Sequence, residues 1–402
     1  MKMPKTLTVL GSTGSIGQNT LAIIRENPDD FKIYALSGHQ NITLLYAQCL
    51  LFLPKYAVVA TQALAQSLQA QLMTAGCKTT VLFGPDALEE IASSETVDVV
   101  MAAIVGIAGL KPTYAAIKAG KTVLLANKEA LVTAGKIFIS AVEQSGATLL
   151  PIDSEHNAIF QCLAHTDKGD SDQAVDKIIL TASGGPFYQK KRHELTNITP
   201  SQACAHPNWK MGKKISVDSS TMMNKALEII EAYWLFSVSH DKIEVLIHPQ
   251  SIVHSLVKYC DGSFIAEMGV PDMKTPIAYA LYYPRRHNIR VESLDLTKTA
   301  LTFLPLDEER FRAVGLVREL LASKNYSGNI VLNAANEMFV EAFLAEKIQY
   351  LQIIEYIEHT VDKLHFCHPS NIDDVIDIDL KTREFINTEF LLDMSLTSNA
   401  RG

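Results

Sequence analysis

The chain has 402 residues, of which 48% are hydrophobic and 20% charged, and its formal net charge is −8. This length predicts two or three domains, and the composition is that of a globular protein with a sizeable core. The acidic balance argues against nucleic acid or an anionic membrane surface as the main partner.

Cysteine usage and hydropathy predict a cytoplasmic location. The six cysteines are scattered and include no C-x-x-C pair, which is typical of reduced thiols. The amino-terminal residues lead directly into a predicted strand and lack a secretory apolar region. The longest apolar run, residues 99–110, is too short to span a bilayer. We therefore expect no membrane partner.

Residues 1–150 alternate strand-like and helix-like segments. The strand-like runs TLTVLG, FKIYALSG, KYAVVA, TTVLFG, VDVVMA and KTVLLAN are separated by helical segments such as LKPTYAAIKAG. Short continuous apolar runs between helices are typical of parallel strands that are buried on both faces. We therefore predict an α/β protein whose residues 1–150 form a doubly wound, Rossmann-like domain.

The pattern changes after residue 150. Single strands and helices are mixed over residues 151–285, where two strand-like runs at 251–258 and 263–268 predict a hairpin. This mixture indicates an α+β domain, to which the resemblance given below assigns catalysis and dimerisation. A polar connection follows at residues 286–307, and helical periodicity from there onward predicts a helical-bundle domain over residues 308–402. A polar loop without a motif is expected at residues 164–176.

A glycine-rich loop lies between the first strand and the first helix. The string GSTGSIG places Gly11, Gly14 and Gly17 where a tight turn can bring the backbone close to a pyrophosphate at the helix N-terminus. Glycines in a loop often serve only to make a turn. Their place at the start of a parallel sheet favours nucleotide binding.

The loop after the second strand bears on the choice of nucleotide. It reads SGHQN and contains no carboxylate to bind a ribose 2′-hydroxyl, which favours NADPH over NADH. The alternative is a solvated loop that selects neither cofactor.

A third loop places Asn127, Lys128 and Glu129 just after a predicted strand, at the sheet edge where ligands bind. Lys128 could instead be a surface lysine at the start of a helix.

Two carboxylates follow the strand that ends near residue 152. Asp153 and Glu155 are two positions apart, and in an extended segment such side chains point to the same side. Their repulsion calls for a cation, and oxygen ligands of this type suit Mg²⁺ or Mn²⁺. Asn224 and Glu228 share one face of a later helix, so Glu228 is a candidate third carboxylate. Alternatively, Asp153 caps the helix that follows it, and Glu228 pairs with Lys225 on the surface.

Further polar residues predict an anion pocket and a lid. Ser183 precedes two glycines, and Ser219 and Ser220 are expected to form the N-cap of the helix that carries Asn224 and Lys225. The loop at residues 204–214 contains His206, Trp209 and Gly212. A tryptophan in such a loop either packs on the core or closes over a substrate and excludes water.

Six motifs, spread in order over nearly the whole chain, resemble those of the 1-deoxy-D-xylulose 5-phosphate reductoisomerase family of the methylerythritol phosphate route to isoprenoids. They are GSTGSIG, LLANKEALV, PIDSEHNAIFQ, TASGGPF, HPNWKMGKKISVDSSTMMNKALE and LNAANE. The resemblance implies a homodimer that uses NADPH and Mn²⁺ or Mg²⁺, with Co²⁺ as a further candidate. It also implies isomerisation and reduction of 1-deoxy-D-xylulose 5-phosphate to 2-C-methyl-D-erythritol 4-phosphate.

The same resemblance implies roles for individual residues. The metal ligands would be Asp153, Glu155 and Glu228, and these with Lys128 and His206 form the catalytic set. The substrate would be bound by Lys128, Ser154, Glu155, Ser183, His206, Trp209, Ser219, Asn224, Lys225 and Glu228. The cofactor would be lined by Thr13, Gly14, Ser15, Ile16, Gly38, Asn41, Asn127, Glu129 and Gly212. His156 is left out of the catalytic set and is expected to hold the loop or a carboxylate.

One departure and two alternatives remain open. Family members often place a basic residue in the loop after the second strand, whereas SGHQN offers only His39. A semialdehyde or homoserine-type dehydrogenase shares a similar glycine-rich start, but the semialdehyde type needs a cysteine nucleophile in a suitable loop. An NADPH-binding sensor would keep the fold without needing the three carboxylates.

Overall fold

Seven parallel strands form the first layer of the molecule. The structure is a computed structural model that describes residues 3–163, 174–207, 209 and 211–390. The strands are β1 (Lys5–Leu10), β2 (Phe31–Ser37), β3 (Tyr56–Val59), β4 (Thr80–Phe83), β5 (Val99–Ala102), β6 (Thr122–Leu125) and β7 (Thr148–Pro151). Their order in the sheet is β4-β3-β2-β1-β5-β6-β7, and every neighbouring pair is parallel.

Helices connect these strands and cover the sheet on both faces. They are α1 (Ser15–Glu26), α2 (Ile42–Phe52), α3 (Gln62–Thr74), α4 (Pro85–Ser93), α5 (Leu110–Lys118) and α6 (Lys128–Ser145). Successive side chains of the central strand β1 enter different cores, since Leu7 and Val9 belong to one buried cluster and Leu10 to the other. Burial on both faces explains the continuous apolar strands, and the doubly wound prediction is confirmed.

A second, mixed sheet has five strands. They are β8 (Val175–Ala182), β9 (Ile243–Ile247), β10 (Val253–Tyr259), β11 (Phe264–Met268) and β12 (Leu304–Pro305). The order is β11-β10-β8-β9-β12, in which only β8 and β9 run parallel. The predicted hairpin is present as β10 and β11. The helices of this region are α7 (Ser154–Cys162), α8 (Pro200–Ala203), α9 (Lys213–Thr221), α10 (Met223–Leu235) and α11 (Lys274–Tyr282).

The junction between α9 and α10 corrects one expectation. Ser219 and Ser220 do not cap the helix that carries Asn224, because they lie in the last turn of α9. Met222 adopts a left-handed conformation with φ of 63°, and this residue ends α9 before α10 begins. The segment SVDSSTMMNKALE therefore spans two consecutive helices. Its side-chain pattern does not reveal the break between them.

Four helices form the carboxyl-terminal part of the described chain. They are α12 (Arg312–Ala322), α13 (Tyr326–Leu344), α14 (Tyr350–Lys363) and α15 (Ile372–Glu389). Helix α13 is buried over most of its length and packs against α14, α15 and α6. The all-helical prediction is confirmed for this part, whereas the exact domain boundaries stay predictions.

Some expectations fall outside the described residues. These are the first ten positions of the polar loop at 164–176, lid residues Asn208 and Lys210, and residues 391–402. Within the described ranges, none of the helices has both the length and the apolar character that crossing a bilayer requires.

Candidate functional site

The carboxyl edge of the parallel sheet gathers the predicted site residues. Strand β6 leads into α6, which begins at Lys128, and strand β7 leads into α7, whose N-cap is Asp153. Because β6 and β7 are parallel neighbours, both helix starts lie at the same edge. Helix α10 packs against α6 and brings Glu228 to this edge from the second part of the chain.

Two lysines occupy the centre of the cluster. The Lys128 ammonium pairs closely with the Asp153 carboxylate and lies 3.3 Å from Glu228 Oε1. The Lys225 ammonium lies 2.8 Å from Glu155 Oε1 and 2.5 Å from Glu228 Oε2. Glu228 therefore bridges both lysines, and all three predicted carboxylates meet at one point.

Asp153 has two tasks in this arrangement. Its Oδ1 accepts a hydrogen bond of 3.0 Å from the Ser154 backbone N–H, so the residue is the N-cap of α7. Its Oδ2 faces Lys128 in the cluster. The capping role and the proposed ligand role are thus compatible, because each uses a different oxygen. The Ser154 hydroxyl donates to Glu155 Oε2 over 2.7 Å.

The buried charge does not balance within the cluster. A fourth carboxylate, that of Glu231 one turn after Glu228, joins the three predicted ones, so four acids surround Lys128 and Lys225. Burial and the neighbouring acids raise the pKa of Glu228 to about 7 and that of Glu231 well above its usual value. Two negative charges remain when all six groups are ionised, which is the charge that a divalent cation would neutralise.

The donor atoms also suit such a cation. One oxygen each of Asp153, Glu155 and Glu228 lies within 4.8 Å of the other two. Burial raises the pKa of Glu155, but Lys225 and Lys128 outweigh it and lower that pKa to about 2, so this carboxylate is ionised. An oxygen-only set with one fully ionised member fits Mg²⁺ or Mn²⁺ better than zinc.

Glu231 was not predicted from the sequence, and His156 lies beside it. The His156 Nε2 donates to the Glu228 carbonyl oxygen over 2.9 Å, because a carbonyl can only accept. The Nδ1 therefore faces Glu231 Oε2 at 3.4 Å and Asp153 Oδ2 at 3.9 Å. Burial lowers the pKa of His156 to about 4, so the ring is neutral near pH 7. The sequence could have indicated Glu231, because it lies three residues after Glu228 on the same helix and so shares its face.

The loop between β1 and α1 has the geometry of a phosphate cradle. Gly11 has φ of +79°, and a Cβ there would lie 2.6 Å from the Ala103 carbonyl oxygen at the end of β5, so only glycine fits. Gly14 is the N-cap of α1 and has no side chain to satisfy the first N–H groups of that helix. These donors therefore point to where an anion would bind, next to Ser15 and Ile16.

Thr13 and Gly38 lie together, whereas the other predicted cofactor residues are more spread out. A Cβ on Gly38 would lie 3.0 Å from the Thr13 methyl carbon. Asn41 caps α2 by accepting from the Leu44 N–H over 3.1 Å. The Asn127 side chain is buried and donates to the Gly106 carbonyl over 2.9 Å.

Glu129 and Gly212 are linked through Lys214. The Lys214 ammonium lies 3.4 Å from Glu129 Oε1, and Gly212 is the N-cap of α9, in which Lys214 is the second residue. The end of the predicted lid is thereby tied to the first turn of α6.

His206 of the predicted lid contacts Ser183 of the predicted anion pocket. His206 Nδ1 accepts from the Trp209 backbone N–H over 2.9 Å, which places the proton of the neutral ring on Nε2. That Nε2–H donates to Ser183 Oγ over 2.8 Å, and burial lowers the pKa of His206. A Cβ on Gly185 would lie 2.9 Å from the Ser219 carbonyl oxygen, so the glycine loop packs directly on the end of α9.

The lid tryptophan contacts a histidine that was not predicted. The ring of Trp209 lies 6.5 Å from the ring of His254 on β10. His254 Nδ1 lies 2.6 Å from Glu267 Oε2, and its Nε2 is buried without a hydrogen-bond partner among the described residues. The sequence did not indicate that His254 lies beside the lid. His254 stands within an apolar strand, and the lid is about 45 residues away in the chain.

The doubly wound domain has a phosphate cradle and, at its carboxyl edge, a carboxylate–lysine cluster. This combination places the protein in the class of oxidoreductases that bind a dinucleotide. Family models narrow the class further. A model for 1-deoxy-D-xylulose 5-phosphate reductoisomerase matches residues 7–135, and two models for its carboxyl-terminal domains match residues 149–236 and 268–385. The chain belongs to the 1-deoxy-D-xylulose 5-phosphate reductoisomerase family.

Individual relatives agree with this assignment. The reductoisomerase of Francisella tularensis subsp. novicida is 58% identical over 95% of this chain and 98% of its own. That of Nitrosomonas eutropha is 52% identical over 94% of this chain and 92% of its own.

Solved structures show the same similarity. The Zymomonas mobilis reductoisomerase in complex with NADPH has a TM-score of 0.90 and 46% identity, over 98% of this chain and 100% of its own. A reductoisomerase in complex with NADPH, fosmidomycin and magnesium has a TM-score of 0.89 and 44% identity, over 96% and 98% of the two chains.

Proposed function

We propose that this chain isomerises and reduces 1-deoxy-D-xylulose 5-phosphate to 2-C-methyl-D-erythritol 4-phosphate with NADPH and a divalent cation. The observation that carries the proposal is the convergence of Asp153, Glu155 and Glu228 on two lysines at the carboxyl edge of the cofactor sheet. The relatives that bind NADPH and magnesium support it.

The three carboxylates would hold Mn²⁺ or Mg²⁺, with Co²⁺ as a further candidate. When bound, the cation would stabilise the negative charge that develops on substrate oxygens as the carbon skeleton rearranges. Lys128, at the centre of this cluster, and Ser154, which donates to Glu155, would contact the hydroxyl end of the substrate.

The phosphate end would be bound by Ser183, Ser219, Asn224 and Lys225, of which the last two also contact the carboxylate cluster. His206 would contact the substrate from the lid, in the tautomer that already donates to Ser183. Trp209 would cover the substrate and exclude water, with His254 as its support on the inner side.

NADPH would lie across the cradle at the end of β1. Its pyrophosphate would pack against Gly14 and meet the N–H groups of Ser15 and Ile16, and Thr13, Gly38, Asn41, Asn127, Glu129 and Gly212 would line the rest. His39 is exposed beside Gly38, and the absence of a carboxylate in this loop favours a 2′-phosphate.

Two further features concern assembly and location. β11 is the outer strand of its sheet and exposes Phe264, Ile265 and Met268, which favours a homodimer formed at this edge. All six cysteines are free, as is typical of a reducing cytoplasm.

The cysteine side chains do not support the alternative of a semialdehyde-type dehydrogenase, which needs a cysteine nucleophile. Burial raises the pKa of Cys49 and Cys162 to about 12 and also raises that of Cys204 near the lid. A cysteine nucleophile needs a lowered pKa, so none of these three is activated.

The direct test mixes the purified protein with 1-deoxy-D-xylulose 5-phosphate, NADPH and Mn²⁺. Absorbance at the nicotinamide band should fall, and EDTA should stop the reaction. A parallel mixture without the sugar phosphate serves as the control. Absence of substrate-dependent NADPH oxidation would overturn the proposal.

A further inference from the structure

The end of α9 is hydrogen-bonded to two of the carboxyl-terminal helices, α13 and α14. Ser219, a proposed phosphate ligand, is partly exposed, whereas its two neighbours Asp218 and Ser220 are buried. Each buried neighbour accepts a hydrogen bond from a different helix of the carboxyl-terminal part, Asp218 from Asn336 on α13 and Ser220 from Tyr350 on α14.

Tyr350 contacts both walls of the proposed phosphate pocket. Its hydroxyl donates to the Ser220 carbonyl over 2.7 Å and lies 3.2 Å from Ser220 Oγ. The last carbonyls of a helix have no partner within that helix, so this bond satisfies a buried acceptor at the end of α9. The Tyr350 ring packs edge-on against Phe187, at 5.5 Å between centroids, and Phe187 follows the glycine loop that carries Ser183.

Asn336 fixes the other neighbour. Its side-chain amide donates to Asp218 Oδ1 over 3.0 Å, and Asp218 Oδ2 pairs with Lys214 at 2.8 Å. Lys214 in turn approaches Glu129 on α6. The two positions that flank Ser219 are therefore anchored by buried polar contacts, to α13 on one side and to α14 on the other.

We propose that Tyr350 and Asn336 are positioning residues for the phosphate pocket, which gives the carboxyl-terminal helices a role in substrate affinity. The proposal rests on the proposed function, because it takes Ser183 and Ser219 as phosphate ligands. Neither residue touches the substrate. They set the separation of the two pocket walls, and small displacements of a binding group weaken its interactions strongly.

The test variant is Tyr350→Phe, which removes the hydroxyl and keeps the ring packing on Phe187 and Phe343. Loss of one buried hydrogen bond predicts a roughly 5-fold rise in KM for the sugar phosphate and in Ki for inorganic phosphate. The KM for NADPH should stay unchanged. Tyr356→Phe is the matched control, because Tyr356 lies on the same helix and its hydroxyl accepts from Gln352 over 2.8 Å.

Several outcomes would overturn the positioning role. Phosphate inhibition that is unchanged in Tyr350→Phe, or that shifts equally in Tyr356→Phe, would mean that the helices contribute only stability. If Tyr350→Phe fails to fold, Asn336→Ala must show the same selective rise, and an unchanged Ki there refutes the proposal. Wild-type protein without turnover would instead refute the proposed function, while calorimetric binding of inorganic phosphate would still test the pocket.

Discussion

At the scale of residues, the site is organised by buried charge. Lys128 and Lys225 lie between like-charged carboxylates and neutralise only part of their negative charge. Burial, and after it the repulsion from neighbouring carboxylates, raises the pKa values of Glu228 and Glu231. The arrangement therefore offers a divalent cation three converging carboxylates and unneutralised negative charge.

Glu228→Gln should remove one proposed metal ligand and keep the size of the side chain. We expect turnover to fall by at least about 100-fold, which corresponds to ~2.7 kcal/mol of transition-state stabilisation. NADPH affinity should hardly change, because the cradle is formed by other elements. Steady-state kinetics and cofactor titration measure the two effects, with Glu355→Gln on the exposed face of α14 as the control. A large loss of NADPH binding would contradict the assignment of Glu228 as a metal ligand.

The raised pKa of Glu228 predicts how the cation effect depends on pH. Burial first, and Glu155 second, raise this pKa from its usual 4.5 to about 7. The folded state then binds the proton more tightly than the unfolded chain, so this contribution to stability is present below pH 4.5 and lost as pH rises through about 7. A bound divalent cation offsets that loss and competes with the proton.

We therefore expect Mg²⁺ or Mn²⁺ to raise Tm more at about pH 8 than at about pH 5. Thermal unfolding with and without the cation at both pH values measures the difference. Glu228→Gln should respond less to the cation and lose much of the difference between the two pH values. An equal rise in Tm at both pH values in the wild type would contradict competition between the cation and the proton at Glu228.

At the scale of elements, close backbone contacts set the geometry of the pocket. The glycine loop after β8 rests on the carbonyl of Ser219 at the end of α9, and this contact leaves no room for a side chain at Gly185. The lid connects to the same loop through the hydrogen bond between His206 and Ser183. Loop, helix end and lid are therefore coupled by short contacts between backbone and small polar groups.

Gly185→Ala should disturb this coupling. The residue has φ of +63°, and the added Cβ would meet the Ser219 carbonyl at 2.9 Å, so both strain and collision are expected. Gly76→Ala is the matched control, because Gly76 also has a positive φ of +72° but nothing lies within 4 Å of its Cβ position.

Strain at a positive φ alone costs about 1 kcal/mol, so Gly76→Ala should lower Tm modestly and leave KM unchanged. Gly185→Ala should lower Tm further and raise the KM for the sugar phosphate by roughly 10-fold, or about 1.4 kcal/mol. Thermal unfolding and steady-state kinetics measure both variants. Equal effects of the two substitutions would show that the contact with Ser219 does not matter.

At the scale of the whole molecule, the two sheets have different exposed edges. The parallel sheet ends at β4, where Phe83 is 48% exposed, and the mixed sheet ends at β11, where Phe264 is 55% exposed. The β11 edge presents a row of exposed apolar side chains along one strand, with Ile265 and Met268 beside Phe264, whereas the opposite edge of this sheet is the two-residue strand β12, which exposes Leu304. That row favours the β11 edge as the contact between two copies.

Phe264→Glu should dissociate the proposed dimer, because a charge on an edge strand opposes strand-to-strand association. Sedimentation equilibrium should show the mass of one chain for this variant and of two chains for the wild type. Phe83→Glu introduces the same charge on β4, an edge strand of the parallel sheet, and should leave the mass unchanged. A wild type that sediments as a single chain would refute the proposed dimer.

Local pattern predicted a large part of this fold. The parallel sheet, the hairpin and the carboxyl-terminal helices follow from apolar periodicity, because burial on one or two faces leaves a regular trace in the sequence. The helix break at Met222 left no such trace, since a non-glycine residue in the left-handed conformation is held by its surroundings. The expected N-cap at Ser219 and Ser220 was wrong for this reason.

The sequence alone determined the chemical inventory: the glycine cradle, the paired carboxylates of Asp153 and Glu155, and the family to which the motifs point. Only the tertiary structure decided which distant groups complete the site. Glu231, His254 and Tyr350 enter it because α10, β10 and α14 pack where they do, and packing between elements far apart in the chain leaves no periodic signal at any one residue. The positive charge between Asp153 and Glu155 likewise comes from Lys128 and Lys225, which local sequence could not assign to that place.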